Sequence, residues 1–143
     1  MAIMFPFLSF VASGRWDLPR NLRFDASKGL AIVKYFGVVT DDDLLSCMRE
    51  LREANFPQHY NELADLREVT HFEASAQILR LVANESSLFG KKSIRVILAP
   101  SSEAFGIGRM VQTYSELTSS TPFVVVHSLQ EAETLLGVSL DLS

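Results

Sequence analysis

The 143-residue chain is 48% hydrophobic and 21% charged, and its formal net charge is −4. These values are typical of one globular domain and exclude the low hydrophobicity and high net charge of disordered chains. Phosphate contacts dominate nucleic-acid affinity, so an acidic chain without a basic stripe is not expected to bind nucleic acid.

The first 18 residues form a strongly apolar stretch, and we expect it to be an extension preceding a domain of residues 19–143. It has no Lys or Arg before Arg15, whereas a secretory signal has a basic start. Pro6 and Ser9 interrupt it, and it is too short to span a bilayer. The sequence therefore predicts a cytoplasmic protein without a transmembrane segment. We expect residues 1–18 to dock on a second copy in a homodimer or to pack on their own domain.

The domain begins with two segments that predict a β-hairpin. Asn21 to Asp25 and Leu30 to Phe36 are rich in branched and aromatic residues, and a glycine-containing turn joins them. Thr40, followed by three aspartates, then predicts the N-cap of a helix that runs to about Ala54. Acidic residues favour the start of a helix, so we interpret the aspartates in this way rather than as metal ligands.

The rest of the chain alternates between strand and helix patterns. Three further strands are predicted at Glu62 to Leu66, Ser93 to Ala99 and Phe123 to Val126. A helix starts between His71 and Ala76 and reaches Leu88 or Phe89, another opens at residues 100–103, and a last one follows the capping box 128–131. Such alternation requires crossovers, so the fold class is α/β. We predict a mostly parallel sheet of about five strands, with the N-terminal antiparallel hairpin at one side and helices packed on it.

Three segments resemble motifs of the bacterial SpoIIAA-like family, whose fold is related to STAS and CRAL-TRIO domains. They are Glu62–Val69 (ELADLREV), Ala104–Met110 (AFGIGRM) and Glu131–Gly137 (EAETLLG), and the resemblance covers about residues 21–137. It implies a non-catalytic regulatory or protein-interaction domain of STAS-like type. Alternatively, it implies a small-molecule or lipid-binding module of CRAL-TRIO-like type, for which the chain has spare apolar residues around Phe72, Phe89, Phe105 and Met110.

The family resemblance also draws attention to Ser75. Antagonists of anti-sigma factors carry a phosphorylated serine at the start of the helix that follows the third strand. Here that region is Thr70–Ser75, which lacks the glycine and the serine pair of the family motif. Ser75 is accordingly either a weak candidate for phosphorylation or a capping serine at the surface.

Asp65, Arg67 and Arg109 are the candidate ligand-binding residues. In open α/β sheets, ligands bind beyond the carboxyl ends of the strands, where we expect Asp65 and Arg67 to lie. Arg109 follows in the helix after the next strand. The two arginines could hold a carboxylate or phosphate, assisted by main-chain N–H groups near Ser101 and Ser102. The alternative is a structural Asp–Arg pair.

No other pattern predicts chemistry. Gly106 and Gly108 lie inside a predicted helix, where we expect them to permit close packing on the sheet or close approach of a ligand. Cys47 is the only cysteine, and its position on the apolar side of a helix predicts a buried hydrophobic residue rather than a nucleophile. The three histidines are far apart. We expect no metal, no cofactor and no enzymatic activity.

Overall fold

A computed structural model describes residues 20–85 and 88–142. These residues form one five-stranded sheet in the order β1-β2-β3-β4-β5, with four helices packed on it. The expected extension, residues 1–18, lies outside the described residues. The strands are β1 (Arg20–Asp25), β2 (Leu30–Thr40), β3 (Asn61–Glu73), β4 (Arg95–Leu98) and β5 (Phe123–Val126), and the helices are α1 (Asp41–Ala54), α2 (Ala76–Asn84), α3 (Ser102–Thr118) and α4 (Leu129–Leu136).

The predicted fold class is confirmed. β1 and β2 form the antiparallel hairpin, in register from Arg20 opposite Tyr35 to Asp25 opposite Leu30. Every other strand pair in the sheet is parallel. All four residues of β4 are buried, as expected for a central strand covered on both faces.

The helices divide between the two faces of the sheet. Buried residues of α1, α2 and α3 pack with Val33 and Leu66 in one cluster, on what we call the three-helix face. Residues of α4 pack with Ile32 and Leu63 in a second cluster, on what we call the α4 face. Strands that follow one another across a sheet through right-handed crossovers place their connecting helices on the same face, which explains this division. Among residues 20–85 and 88–142, the opposite face is covered by α4 and the tail that follows it.

Two strands are longer than the sequence predicts. β2 continues to Thr40 and β3 to Glu73, although their predicted ends were Phe36 and Leu66. β4 reaches only as far as Leu98, opposite Asp65, so the last part of β3 extends beyond it. The pairing of β2 with β3 is interrupted by two register shifts around Gly37, whose φ of +72° is in the left-handed region. The shifts break the period-2 pattern from which a strand is recognised.

The helix boundaries agree with the sequence except in α2. Thr40 and Ser128 are N-caps, as predicted, and the capping box predicted at Ser128 is complete. Thr40 also has a complete capping box, with Asp43, which was not predicted. Helix α2 ends at Asn84, so the expectation that it reaches Leu88 or Phe89 is wrong. Phe89 is nevertheless buried, in the loop that leads to β4. Within residues 20–85 and 88–142, none of the helices is long and apolar enough to cross a membrane.

Candidate functional site

Asp65 and Arg67 form a close ion pair on β3. The guanidinium of Arg67 donates from Nε to Oδ1 of Asp65 and from Nη2 to Oδ2, each at 3.0 Å. The main-chain N–H of Arg67 also donates to Oδ1, at 3.1 Å. Asp65 is completely buried, whereas the Arg67 side chain is 31% exposed. Hydrogen bonding to Asp65 raises the pKa of Arg67. This arrangement matches the structural-pair alternative, because the carboxylate already occupies the fork of the guanidinium.

The expected position of this pair was wrong. Asp65 and Arg67 lie within β3 rather than at its carboxyl end, since the strand continues to Glu73. Asp65 lies level with the last residue of β4, Leu98. Along β3 it shares the side of Leu63, which belongs to the cluster on the α4 face. Helix α3 packs on the other face, and Arg109 lies exposed on it. The structure therefore brings Asp65 and Arg67 together but leaves Arg109 on the opposite side of the sheet.

Ser101 and Ser102 are at the start of α3. Ser101 is the N-cap, and its Oγ accepts a hydrogen bond from the N–H of Ala104 at 3.1 Å. In the same turn, Glu103 accepts from the N–H of Phe72 at 3.2 Å and lies 2.9 Å from Nδ1 of His71. A carboxylate thus already stands at this helix end, where it opposes the binding of an anion.

Ser75 is the exposed N-cap of α2. Its Oγ accepts from the N–H of Ile78 at 3.2 Å, and its own N–H donates to Oδ1 of Asp41 at 2.7 Å. The hydroxyl is thus accessible at a helix N-terminus, which favours a phosphate, but a carboxylate is its neighbour. Ser75 caps α2, which agrees with its interpretation as a capping serine. Its phosphorylation stays a prediction.

A trough of about 410 Å³ opens on the α4 face, over β1, β2 and β3. We call it the sheet trough. Its apolar residues are Ile32, Phe36 and Leu142, and its polar rim includes an ion pair in which Nζ of Lys34 lies 2.8 Å from Oε2 of Glu68. The residues that line it are Asn21, Arg23, Ile32, Lys34, Phe36, Asp65, Glu68 and Leu142.

The end of the described chain lies in this trough in an irregular conformation. Nη2 of Arg23 donates to the carbonyl of Asp141 at 3.1 Å, and Nη2 of Arg67 donates to the carbonyl of Leu142 at 3.3 Å. Leu140 and Leu142 pack against the cluster on the α4 face. Two arginines thus hold successive main-chain carbonyls, while neighbouring leucines provide apolar contacts. The second role of Arg67, beyond its pair with Asp65, is to bind polypeptide backbone.

A second candidate site lies between the sheet and the three helices. We call it the three-helix cavity; its volume is about 60 Å³, and a neighbouring space of about 30 Å³ shares five of its lining residues. The wall is almost entirely apolar. Its polar members are Tyr35 and Glu62, the latter paired with Arg95, whose Nε lies 2.8 Å from Oε1 of Glu62. Arg95 also stacks 3.9 Å from the centroid of the Phe123 ring.

Tyr35 and Cys47 form a buried polar contact beside this cavity. Burial raises the pKa of the Cys47 thiol to about 11, and burial also raises the pKa of Tyr35 well above its ordinary value. A thiolate is the nucleophilic form of cysteine, so a thiol with such a pKa is inert near neutral pH. The prediction that Cys47 is buried is confirmed, with 2% of the residue exposed.

Sequence reasoning missed most residues of both sites. Arg23, Lys34, Phe36 and Glu68 of the sheet trough were not singled out, because an exposed charge on a strand carries no signal of its own. The buried Glu62–Arg95 pair did leave a signal, since opposite charges stand at the start of two apolar segments that become neighbouring strands. Within residues 20–85 and 88–142, no group of three or more His, Cys, Asp or Glu residues is placed to hold a metal ion.

Comparison with known proteins adds no identification. No family model matches the chain, and no curated protein matches it.

Proposed function

We propose that the protein is a non-catalytic regulatory or protein-interaction domain of STAS-like type, which binds an extended polypeptide segment in the sheet trough. The observation that carries this proposal is the contact that Arg23 and Arg67 make with the carbonyls of Asp141 and Leu142. These contacts are made to main-chain carbonyls, so an extended segment of another polypeptide can make the same contacts when it replaces residues 141 and 142. The remainder of the trough offers room for such a segment.

The dimensions and charges of the trough support this proposal. A volume of about 410 Å³ falls within the roughly 300–1,000 Å³ typical of binding clefts. Ile32 and Phe36 provide apolar contacts for alternate side chains of an extended segment. Glu68 of the Lys34–Glu68 pair is 60% exposed, so its carboxylate can pair with a partner at small cost.

Photo-cross-linking of the full chain in its native cell tests the proposal. A photoreactive residue replaces Glu68, which lies on the rim of the trough, and the control variant carries it at Glu116, exposed on the opposite face of the sheet. We expect a cross-linked protein partner from position 68 only, and its loss when Phe36→Asp is added. Equal cross-linking from both positions, or none from position 68, would contradict the proposal.

Phosphorylation of Ser75 is a regulatory step that this proposal includes. A phosphate there would bring nearly two negative charges next to Asp41, whose carboxylate now accepts the Ser75 N–H. Repulsion would loosen the contact between the start of α2 and the start of α1. Phosphopeptide mapping of protein from its native cell tests this step, and a Ser75 that is always unmodified would remove it.

The second candidate function is that of a small-molecule or lipid-binding module of CRAL-TRIO-like type, which the three-helix cavity favours. Its apolar wall with two polar residues, Tyr35 and Glu62, resembles the usual lining of small-molecule sites. The volume is small, however. About 60 Å³ is less than half of the roughly 150 Å³ engineered cavity that binds benzene, so an acyl chain would enter only if α2 moved away from the sheet. Organic extraction of gently purified protein tests this function, which predicts one apolar molecule per chain.

We further propose a cytoplasmic location and a homodimer to which residues 1–18 contribute. The apolar character of this segment supports the dimer, because an exposed apolar stretch favours association. Deletion of residues 1–18, followed by sedimentation, measures the contribution. An unchanged association constant would show that the segment has no part in the dimer. Imaging of a fusion protein in its native cell tests the location.

A further inference from the structure

The two edges of the sheet differ in whether side chains accept hydrogen bonds from the main-chain N–H groups that point outward. β5 forms one edge of the sheet. The N–H of Ala99 donates to the carbonyl of Val126, so Val126 faces inward. Successive residues of a strand face opposite sides, so Phe123 and Val125 point their N–H groups outward. Side chains of the helices accept from these groups. Oγ of Ser115 binds the N–H of Phe123 at 3.0 Å, and Oε1 of Gln112 binds that of Val125 at 3.0 Å. Glu131 accepts from the residue that follows β5 in the same way, at 2.9 Å. The β5 edge is therefore closed to a further strand.

The β1 edge has no such protection from any described residue. The N–H of Asn61 in β3 donates to the carbonyl of Gly29 at 2.8 Å, so Gly29 faces β3. The main-chain groups of the next residue, Leu30, therefore face β1, and so do those of every second residue after it in β2. In the observed register these residues pair with Asp25, Arg23 and Asn21. The outward main-chain groups of β1 are consequently those of Arg20, Leu22 and Phe24. Among the residues that the structure describes, no side chain accepts from these three N–H groups.

We propose that the β1 edge pairs antiparallel with β1 of a second copy, so that the two sheets become one. The three outward residues fix the register. Only a twofold axis at Leu22 pairs all three of them, with Leu22 opposite Leu22 of the second copy and Arg20 opposite its Phe24. The same register places Asn21 opposite Arg23 of the second copy, so that no like charges face each other across the axis.

The side chains of β1 suit this occupant. Leu22 is half-buried at the rim of the core cluster, and Phe24 is 37% exposed with its ring 5.1 Å from that of Phe56. In the dimer both lie against the second copy on the three-helix face. A ladder of five residues is short compared with stable interfaces, so we expect a dimer that dissociates on dilution. Asn21 and Arg23 also line the sheet trough, so a polypeptide bound there would lie next to this dimer interface.

Disulfide trapping of the full chain tests the register. Leu22→Cys places two thiols on the twofold axis, where paired Cα atoms of an antiparallel ladder are about 5.5 Å apart and a disulfide can form. Asn21→Cys is the matched control, since it faces Arg23 of the second copy rather than itself. Cys47 is buried and does not interfere. Under mild oxidation we expect a covalent dimer from Leu22→Cys and none from Asn21→Cys.

Charge variants of Asn21 give a second, equilibrium test. Asn21 is exposed, so its substitution leaves the fold intact. Asn21→Glu adds two opposite-charge pairs to the dimer and Asn21→Arg adds two like-charge pairs. We expect dimer dissociation constants from sedimentation to change on the order of three- to tenfold, downward and upward respectively. A protein that is monomeric at every concentration would overturn the proposal. A dimer that neither variant shifts and that Leu22→Cys does not trap would also overturn it, by locating the interface elsewhere.

Discussion

At the scale of a single residue, Arg67 links β3 to the tail of the described chain. It neutralises the completely buried carboxylate of Asp65, and it also holds the carbonyl of Leu142. A buried carboxylate that loses its cation is much more costly than an exposed one, because water cannot replace the lost partner. The sequence singled out Asp65 and Arg67 at the expected end of a strand, and a structural Asp–Arg pair was one of its two interpretations. Its role in binding the chain's own tail could not be recognised, because nothing local indicates where residues 141 and 142 go.

Truncation of Arg67 should therefore destabilise the fold. We expect Arg67→Ala to lower the free energy of unfolding by about 2–3 kcal/mol, somewhat less than for a fully buried pair because the guanidinium is 31% exposed. Arg52→Ala is the matched control, since it removes an exposed arginine from its pair with Glu85 and should cost less than about 1 kcal/mol. Urea denaturation of both variants gives the two values. Equal losses would show that Asp65 does not depend on Arg67.

Cys47 predicts how stability depends on alkaline pH. Burial raises the pKa of its thiol from 9.0 to about 11, so the folded protein retains this proton more strongly than the unfolded chain. The resulting stabilisation is complete below pH 9.0 and is lost as the pH rises to about 11. Across that window, urea midpoints of Cys47→Ala should fall less than those of the wild type. Tyr35, whose pKa is also raised, leaves a residual slope in the variant. Parallel curves for the two proteins would contradict the assignment.

At the scale of elements, the two glycines of α3 have different roles. The sequence left two explanations open, close packing on the sheet or approach of a ligand. A Cβ on Gly108 would lie 2.6 Å from Cγ2 of Val125 and 3.3 Å from Cγ2 of Ile97, whereas a Cβ on Gly106 would meet nothing within 4 Å. Packing on the sheet thus explains Gly108. No contact of Gly106 explains the glycine there.

These contacts predict opposite effects of the same substitution. Gly108→Ala should lower the free energy of unfolding by about 1–3 kcal/mol, because β4 and β5 must shift to admit the methyl group. Gly106→Ala should raise it by up to about 1 kcal/mol, since alanine favours a helix and the position is open. Thermal or urea unfolding of the two variants measures both. A loss at Gly106 equal to that at Gly108 would show that something approaches Gly106 as well.

The order of elements was readable from the sequence, but the full lengths of β2 and β3 were not. Caps at Thr40 and Ser128 mark their helices with residue types that act locally, so they were predicted correctly. The ends of β2 and β3 instead form a ribbon that β4 does not reach. Thr70, His71 and Glu73 are exposed there and need no apolar alternation. The sequence of such an exposed strand carries no apolar alternation, so the strand becomes evident only from its hydrogen bonds to the neighbouring strand.

At the scale of the whole molecule, the candidate site was predicted only in part. Asp65 and Arg67 are neighbours on one strand, and the structure brings them together. Arg109 is separated from them by the sheet itself, because α3 crosses on the three-helix face while Asp65 faces the other way. β3 is apolar on both faces near Leu63 and Leu66, so its sequence does not reveal which side meets which helix. The sheet trough depends on how far α4 extends, which is a property of the assembled fold.

Native mass spectrometry of the gently purified full chain tests the central claim most directly, which is that this domain binds polypeptide rather than a small molecule. The account predicts masses of the bare 15.9 kDa chain, its dimer, and complexes that release only polypeptide on denaturation. One small apolar molecule per chain, released on denaturation, would contradict it. That result would assign the function to the three-helix cavity instead of the sheet trough.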